Sequence, residues 1–370
     1  MAFLDVLFYT FSVVVFIQVI FYVFLFGKFA FLKPKKHINK DIPVSIIVCA
    51  KNEADNLKNF LPLIVSQNYP NFEVILINDA SHDDTLDVME YFASIYHNIK
   101  IVNVKNNEAF WGNKKYALTL GIKASKYNHL LFTDADCKPV SKHWIHEMSA
   151  HFSHEKSIVL GYGAYSKIKK SFLNKLIRFE TLITAVHYFS FSELGIPYMG
   201  VGRNLAYTKK EFFNANGFIS HIKVRSGDDD LFINQVATKE NTAICISPDS
   251  FTESLPKTTF KDWVKQKRRH ISTAKYYKPK HKILLTSIYI TNLLFWILGL
   301  FLMLFLFNWQ LVLSLILIRL TVQYIITGIS SKKLNESDLL FYVPILELFL
   351  IYFQLTIFIK NLFSRTNHWK

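Results

Sequence analysis

The chain has little cysteine: Cys49, Cys137 and Cys245 are the only three among 370 residues. Their wide separation excludes a disulfide framework and the close spacings of structural zinc sites. Acidic residues are also scarce, 28 against 43 Lys and Arg, which gives a formal net charge of +15. No nucleic-acid-binding motif accompanies this charge. Much of it borders apolar segments, where anionic lipid headgroups attract basic side chains, so we expect a membrane rather than a nucleic acid as partner.

Apolar residues, by contrast, make up 51% of the chain and crowd its N-terminus and its last quarter. Four segments are long enough, at the rise of a helix, to cross the hydrocarbon layer of a bilayer. The first is too long for the hydrophobic part of a secretory signal, and its lysines follow rather than precede it. The predicted spans are residues 3–26, 283–307, 311–329 and 339–363.

Lysines flank the first three predicted spans on one side. Because basic residues concentrate in cytoplasmic loops, their positions predict a multi-pass protein of the cell (inner) membrane whose middle domain faces the cytoplasm. These residues are Lys28, Lys33, Lys35, Lys36, Lys278, Lys280, Lys282, Lys332 and Lys333.

The fourth predicted span departs from this pattern. It contains Pro344, and a full crossing would leave Lys360, Arg365 and Lys370 on the side opposite to the other basic residues. A re-entrant or interfacial path is the alternative.

Two charged residues also lie inside the apolar segments, Arg319 and Glu347. They indicate either a functional path through the membrane or a buried pairing between helices.

Between the membrane segments, β-rich runs alternate with runs of helical periodicity. Strands alternating with helices of this length predict an α/β domain with a mostly parallel sheet and helices on both faces. Ligands of such sheets bind beyond the carboxyl ends of the strands. The predicted strands are 43–50, 72–77, 99–104 and 128–133, and the predicted helices are 57–65, 86–95 and 114–124.

Polar residues follow three of these strands: Glu53, Asp79, and the pair Asp134 and Asp136. Asn, Asp and Ser are common at helix starts whatever the function, because their side chains cap free backbone N–H groups. For Asn52, Asp79 or Ser81 taken singly we therefore favour a structural role. Their repetition at one edge of the sheet favours a binding site.

Two carboxylates, Asp134 and Asp136, end the strand predicted at 128–133. On an extended backbone, alternation would aim both side chains the same way, where they would repel each other unless a cation lay between them. Oxygen ligands suit Mg²⁺ or Mn²⁺, which proteins commonly hold with one or two carboxylates and substrate phosphates. The pair therefore predicts a divalent metal site that carries a diphosphate.

A series of short motifs resembles the inverting family 2 glycosyltransferases with the GT-A fold, particularly membrane-embedded members such as cellulose, hyaluronan and ceramide-glucose synthases. The resemblance covers residues 43 to about 277. It implies a GT-A (Rossmann-like) catalytic α/β domain with flanking transmembrane α-helices. Each motif is weak alone, but their order within the predicted domain is specific. The motifs are VSIIVCAKNEADNL, VILINDASHDDT, GNKKYALTLGI, TDADCKP, PYMGVGRNLAY, SGDDDLFINQV and QKRRH.

The resemblance implies a nucleotide-sugar donor and a divalent cofactor, Mg²⁺ or Mn²⁺. In the Asp-x-Asp motif, Asp136 matches the principal metal ligand and Asp134 the residue that faces the ribose or the metal. Five further residues match positions near the nucleotide, with Asp79 accepting a hydrogen bond from the base; they are Ala50, Lys51, Glu53, Asp79 and Lys114.

The resemblance also implies a catalytic base. Asp229 matches it in the motif SGDDDLFINQV, and a shift by one residue would give Asp228. Mutual repulsion in the run of three aspartates should raise the pKa of at least one of them towards a value useful to a base. The alternative for this run is a solvated acidic helix start.

In QKRRH, Gln266 and Arg269 match the family's Gln-x-x-Arg-Trp motif, while His270 stands where tryptophan is usual. The departure argues against processive synthesis, since the resemblance implies that the tryptophan closes the acceptor site of polymer-making members.

The segment around this motif predicts a short interfacial helix, with Phe260 and Trp263 facing acyl chains and with Lys261, Lys265 and Lys267 as membrane anchors. For the aromatic run at 172–199 we expect mainly core packing, with some residues shaping an acceptor site.

These expectations combine into one predicted function. The protein is an inverting glycosyltransferase that moves a sugar from a nucleotide-sugar, with a UDP-sugar favoured, to a lipid or glycan acceptor at the cytoplasmic face. A processive polysaccharide synthase and a nucleotide-binding scaffold without catalysis are the alternatives. The predicted divisions are residues 1–30 (membrane helix), 40–257 (catalytic domain), 258–282 (interfacial segment) and 283–370 (about three membrane helices).

Overall fold

The structure is a computed structural model that describes residues 2–33, 41–105 and 114–363. Lys35, Lys36, Arg365 and Lys370 lie outside the described residues, as do Gly112 and Asn113 of the motif GNKKYALTLGI. The chain begins with helix α1 (Ala2–Ile20), a π-helical turn (Phe21–Phe26) and helix α2 (Gly27–Ala30).

The first half of the central domain alternates strand and helix as predicted. Its elements are β1 (Val44–Ala50), α3 (Ala54–Val65), β2 (Phe72–Asp79), α4 (Thr85–Ile95), β3 (Ile99–Val104), α5 (Lys114–Ala124) and β4 (His129–Asp134). Strands β1 and β2, β1 and β4, and β2 and β3 pair in parallel, so their carboxyl ends meet at one edge of the sheet.

The second half of the domain extends this sheet and adds a small one. Its elements are β5 (Cys137–Pro139), α6 (Trp144–Ser149), β6 (Ile158–Leu160), β7 (Gly163–Tyr165), α7 (Phe172–Glu193), β8 (Leu205–Thr208), α8 (Lys209–Asn214), α9 (Asp230–Val236), β9 (Thr242–Ile244), β10 (Thr252–Ser254) and α10 (Phe260–Ile271). The large sheet has the order β3-β2-β1-β4-β8-β6-β9, and the small one β5-β10-β7. Strand β8 runs antiparallel to β4 and β6, whereas the other pairings of the large sheet are parallel.

Helices cover both faces of the large sheet. Successive side chains of a strand point to opposite faces, so neighbouring residues of β1 pack in different cores. Ile46 of β1 packs in a core with Leu61 of α3. The next residue, Ile47, packs in a second core with Ala117 of α5 and Leu176 of α7. Burying each such aliphatic side chain contributes about 1.5–3 kcal/mol. The predicted α/β architecture with two helical layers is therefore confirmed.

The C-terminal region contains helices α11 (Pro279–Leu304), α12 (Trp309–Lys333) and α13 (Val343–Phe363), with a 3₁₀ segment at Ser337–Tyr342. Among the described residues, four helical segments are long and apolar enough to cross a membrane: Phe3–Ala30, Pro279–Leu304, Trp309–Lys333 and Ser337–Asn361. Large apolar side chains on them are exposed, for example Phe16 at 66% and Leu304 at 81%. Such continuous apolar surface is typical of contact with lipid.

Arg319 and Glu347 form the buried pairing that was one of the two predicted alternatives. Arg319 is fully buried, and its Nη2 lies 2.7 Å from Glu347 Oε1. The same guanidinium donates to Gln18 Oε1 of α1 at 2.5 Å and to Asn292 Oδ1 of α11 at 3.1 Å. Gln323 of α12 also binds both charged groups. This cluster, which we call the bundle pair, ties all four helices together and satisfies its own charges.

Helix α13 contacts the central domain near both of its ends. Next to its start, Phe349 packs against Phe172 of α7, with ring centroids 5.0 Å apart. Near its end, Asn361 Oδ1 accepts a hydrogen bond from Arg268 Nε of α10 at 3.0 Å. A helix of this length extends about 30 Å. The domain and α13 therefore lie side by side over most of the length of the helix.

Candidate active site

The loops that follow β1 and β2 hold each other in place. The backbone N–H of Asn52 donates to Ser81 Oγ at 3.0 Å, and Asn52 Oδ1 accepts from the N–H of His82 at 2.9 Å. Asn52 has a φ of +54°, in the left-handed region that asparagine tolerates better than most residues. Asn52 and Ser81 therefore have a structural role, but they join the two loops and do not cap the helices as predicted.

Asp79 differs from these two residues. It ends β2 and is only 7% exposed, and α4 begins six residues later, so Asp79 does not cap that helix. Its Oδ2 is buried and has no hydrogen-bond partner in the described parts of the chain. Burial raises its pKa, against the opposing effect of Lys51 and Lys114. A buried acceptor without a partner is available to a ligand.

The carboxylates of Asp134 and Asp136 lie close together, as predicted, but not for the predicted reason. Asp134 ends β4, whereas Asp136 lies in a two-residue turn before β5, so strand alternation does not aim the two side chains. The turn brings their oxygens and Cys137 Sγ within 4.8 Å of one another. Burial, followed by repulsion from Asp134 and Glu53, raises the pKa of Asp136. A cation at this point would relieve that repulsion.

Lys114 joins two of the predicted motifs. Its Nζ lies 2.8 Å from Asp134 Oδ1 and 3.2 Å from Asp228 Oδ2. Burial alone would raise the pKa of Asp134, but Lys114, together with Arg203 and Arg269, outweighs it and the net shift of the pKa is downward. The neighbouring Lys115 points away and donates to the carbonyls of His221 and Val224, at 2.8 Å each. Lys114 is therefore the lysine of this pair that faces the site, in agreement with the choice made from motif spacing.

The three aspartates at the start of α9 are not a solvated helix start, the alternative considered from the sequence. Asp229 Oδ2 accepts the N–H of Gly202 and its Oδ1 accepts the N–H of Asp230, each at 2.7 Å. Its pKa is raised to about 7, first by burial and then by repulsion from Asp228 and Asp230. Repulsion was the predicted cause, and burial is the larger one. Gly227 makes the turn possible, because its φ is +93° and a Cβ there would lie 2.5 Å from Leu231 Cδ1.

Asp230 anchors this loop to the segment that leads into the membrane. Its Oδ2 accepts hydrogen bonds from Thr273 Oγ1 at 2.5 Å and from the Tyr277 hydroxyl at 2.6 Å. One turn later, Asn234 Oδ1 accepts the N–H of Lys278 at 2.9 Å. The position of Asp229 is thus coupled to the connection between α10 and α11.

Helix α10 turns its aromatic side towards the protein, which corrects part of the interfacial prediction. Trp263 is 1% exposed and packs on Phe353 of α13, with ring centroids 4.6 Å apart, so it does not face acyl chains. Lys267 is not a surface anchor either, because it forms an ion pair with Glu180 of α7. Both residues are drawn away from the membrane surface because α10 packs against α7 and α13. The sequence pattern of α10 alone does not predict this packing.

Three further residues of α10, Gln266, Arg269 and His270, line the cavity, whereas Phe260, Lys261 and Lys265 are exposed. The Gln266 Nε2 lies 3.5 Å from the Tyr165 hydroxyl, and its Oε1 is buried without a hydrogen-bond partner among the described residues.

Arg203 is a site residue that the sequence predictions did not single out. Its guanidinium donates to the carbonyls of Ala164 and Gly163, at 2.9 and 2.7 Å, and lies 4.2 Å from the centre of the Tyr165 ring. Its positive charge offsets part of the rise in the pKa of Asp136. The only signal in the sequence was a charged residue inside the glycine-containing segment VGRN.

One cavity of about 1040 Å³ connects these groups. Ten of the predicted residues, from segments far apart in the chain, line it: Lys51, Glu53, Asp79, Lys114, Asp134, Asp136, Asp228, Asp229, Gln266 and Arg269. Ala50 is the exception, since its side chain is buried in the core behind β1. Residues of α7, α10, α11 and α13 line the same cavity, so it extends from the sheet edge to the helical region.

The residues at the sheet edge fit a divalent ion. Asp134 and Asp136 offer carboxylate oxygens, and within residues 2–33, 41–105 and 114–363 Asp136 accepts one hydrogen bond, from Cys137 Sγ at 3.5 Å. Cys137 Sγ is buried and lies 2.9 Å from Ser254 Oγ. Two oxygen ligands beside an open cavity match a hard ion such as Mg²⁺ or Mn²⁺ that takes its other ligands from phosphate and water.

The central domain is similar in sequence to known glycosyltransferases. The model of glycosyl transferase family 2 matches residues 45–223. Glycosyltransferase AglE of Haloferax volcanii is 32% identical over 98 residues, which cover 26% of this chain and 31% of AglE. A cholesterol galactosyltransferase of Borreliella burgdorferi is 31% identical over 93 residues, or 25% of each chain. The poly-β-1,6-N-acetyl-D-glucosamine synthase of Staphylococcus epidermidis is 32% identical over 93 residues, which cover 25% of this chain and 21% of the synthase. The chain thus spans less than a third of the length of these relatives.

The fold is shared over a longer range. A solved mannosyltransferase, PcManGT of Pyrobaculum calidifontis in complex with GDP-Man and Mn²⁺, superimposes with a TM-score of 0.59. The likeness covers 90% of this chain and 99% of PcManGT at 18% sequence identity. The predicted GT-A fold is therefore confirmed.

Proposed function

Because residues 45–223 belong to glycosyl transferase family 2, we propose that this protein is an inverting glycosyltransferase. It takes a sugar from a nucleotide-sugar donor and transfers it to a lipid or lipid-linked acceptor at the cytoplasmic face of the membrane. The observation that supports this most is the convergence of the predicted donor, metal and base residues on one cavity.

The donor binds at the sheet edge. Asp79 offers to the base of the nucleotide the oxygen that has no partner in the described structure, and Lys51 and Glu53 also line the cavity. Asp136 and Asp134 would hold the divalent ion. When bound, that ion neutralises the charge of the departing diphosphate as a Lewis acid. Lys114 and Arg203 are fixed cations in the same wall and add to this stabilisation without reorganising.

Asp229 acts as the general base. With a pKa raised to about 7, it is partly ionised at neutral pH and can accept the proton of an acceptor hydroxyl. Two backbone N–H groups, those of Gly202 and Asp230, hold its carboxylate in place. Direct attack by the activated hydroxyl on the anomeric carbon, with the diphosphate leaving on the opposite side, inverts that centre.

The acceptor reaches this base from the membrane side of the cavity. Helices α10 and α13 line the cavity, and α13 belongs to a segment apolar enough to span a bilayer. Basic residues next to the candidate spans support a cytoplasmic domain. Of these, Lys28, Lys278, Lys280, Lys282, Lys332 and Lys333 are among the described residues.

A processive synthase is the second candidate, because one of the relatives is a polysaccharide synthase. The cavity wall opposes it at one position: His270, and not the tryptophan of polymer-making members, lines the acceptor side.

The test uses the full-length protein purified in detergent. It is incubated with Mn²⁺, a panel of labelled nucleotide-sugars and a membrane lipid extract, and the products are identified by mass. We expect a glycolipid carrying a single sugar, and loss of its formation in Asp136→Ala and Asp229→Asn. A ladder of longer products would favour the synthase. Full turnover in both variants would refute the proposed roles.

A further inference from the structure

The cavity that holds the acidic residues has a second, apolar part. Trp263 of α10, Leu285 of α11 and three residues of α13 form this part of its wall. The three are Leu350, Phe353 and Ile357, spaced by three and four residues, so they share one face of α13. We call this surface the α10–α13 slot.

One polar side chain lies among these apolar ones. Gln354 of α13 lines the cavity and is half-buried. In the part of the chain that the structure describes, its amide makes no hydrogen bond. Polar groups inside apolar helices are costly unless they have a partner. An amide facing the cavity next to apolar rings is therefore suited to a ligand with both a polar group and a hydrocarbon chain.

The path of α13 decides from which side such a ligand enters. Phe349 and Asn361 both contact the central domain, through Phe172 and Arg268. A helix perpendicular to the membrane would carry one of these ends about 20 Å away from the domain. Helix α13 instead stays on the side of the central domain, along the re-entrant or interfacial path that the positions of the basic residues favour. The α10–α13 slot then opens into the leaflet next to the domain.

Taken together, we propose that the α10–α13 slot binds the hydrocarbon chain of the acceptor lipid and that Gln354 hydrogen-bonds the polar group at the head of that chain. This inference rests on the proposed function and adds the subsite that positions the acceptor hydroxyl towards Asp229. The occupant is a membrane lipid, because the slot is continuous with the cavity of Asp229 and its wall consists of helices with lipid-exposed outer faces.

Photolabelling tests the slot without requiring turnover. The full-length protein in detergent is labelled with a long-chain alcohol that carries a diazirine in its chain, and the labelled residues are mapped by mass spectrometry. We expect preferential labelling of Trp263, Phe353 and Ile357. Gln354→Trp, which fills the slot and removes no internal hydrogen bond, should lower this labelling by more than about tenfold, since each methylene withdrawn from an apolar site costs roughly fourfold in binding.

The matched control is Gln310→Trp, the same substitution at an exposed position of α12. It should leave the labelling unchanged. Equal labelling of the slot and of the outward-facing Phe358, unaffected by Gln354→Trp, would overturn the inference.

Transfer to the lipid extract separates this inference from the proposed function. If wild type transfers sugar, Gln354→Trp should lower kcat/KM for the lipid and leave the KM of the donor unchanged, whereas Gln310→Trp changes neither. Absence of transfer by wild type would refute the proposed function alone. Equal transfer by both variants would refute the slot alone.

A separate experiment tests whether α13 crosses the membrane. Lys360→Cys and Lys58→Cys, the latter on the exposed surface of α3, are treated in vesicles with a membrane-impermeant maleimide. Both should react from the same side of the membrane. Reaction from opposite sides would show that α13 crosses the membrane and would overturn the predicted opening of the slot.

Discussion

Arg319 in the helical bundle and Lys114 in the cavity are both buried cations that contact carboxylates, yet their surroundings differ. Arg319 has partners on every helix of the bundle, and its carboxylate Glu347 is shared with Gln323. In the cavity, Asp79 keeps an oxygen without a partner among the described residues, and Asp229 keeps a raised pKa. The charged groups of the bundle have their partners within the protein, while the cavity has an acceptor and a base that are available to a ligand. The bundle pair thus serves stability, and the cavity serves binding and proton transfer.

The largest effect that would separate the two regions is loss of turnover in Asp229→Asn. Removing a general base lowers rates by about 10²- to 10⁴-fold. The amide oxygen accepts only one of the two backbone N–H groups that the carboxylate accepts, so the melting temperature should fall slightly. The binding of a nucleoside diphosphate should stay unchanged. Asp249→Asn, at an exposed position outside the cavity, is the control. If Asp229→Asn turned over substrate at the wild-type rate, the cavity would not have the role in proton transfer that sets it apart from the bundle pair.

The second effect is loss of stability in Glu347→Leu, which leaves Arg319 buried without its counter-ion. Removing one partner of a buried pair costs about 3–5 kcal/mol. The melting temperature in detergent should fall, while kcat per folded molecule stays close to wild type.

The control for that change is the double variant Arg319→Met/Glu347→Leu, which removes both charges. It should recover much of the lost stability, because replacing a buried pair by apolar residues is often neutral. Equal stability of Glu347→Leu and wild type would contradict the role given to the bundle pair.

The smallest effect is a shift of the pH profile in Asp230→Asn. In wild type, kcat/KM should fall as the pH drops through the pKa of Asp229, about 7, because protonation removes the base. Neutralising Asp230 removes one repulsive charge, so the pKa of Asp229 decreases and the acid limb moves to lower pH. Asp228 and its partner Lys114, together with Lys115, remain in place around Asp229. An unmoved acid limb would show that Asp230 acts through its hydrogen bonds to Thr273 and Tyr277 alone.

The strands of the central domain and the residues at their ends were predictable from the sequence. Asp79, Asp134 and Asp136 end or follow strands, and parallel strands carry their ends to one edge whatever the details of packing. The choice of Lys114 over Lys115 also agrees with the structure. For these residues the spacing along the chain is enough to predict the position, because each position depends on the strand or helix that contains the residue.

Contacts between elements far apart in the chain were not predictable in this way. Trp263 and Lys267 have the pattern of an interfacial helix, but α13 and α7 cover them. Arg203 takes its place from carbonyls of β7, which no local pattern specifies. The proximity of Asp134 and Asp136 was predicted correctly from an extended backbone that the structure replaces by a turn. Tertiary packing decides such positions.

Binding of Mn²⁺ in the presence of a nucleoside diphosphate tests the central distinction most directly. Electron paramagnetic resonance of the full-length protein in detergent measures the bound ion. The account predicts that wild type and the double variant Arg319→Met/Glu347→Leu bind Mn²⁺ with equal affinity and that Asp136→Ala loses this binding. Undiminished binding by Asp136→Ala would contradict it.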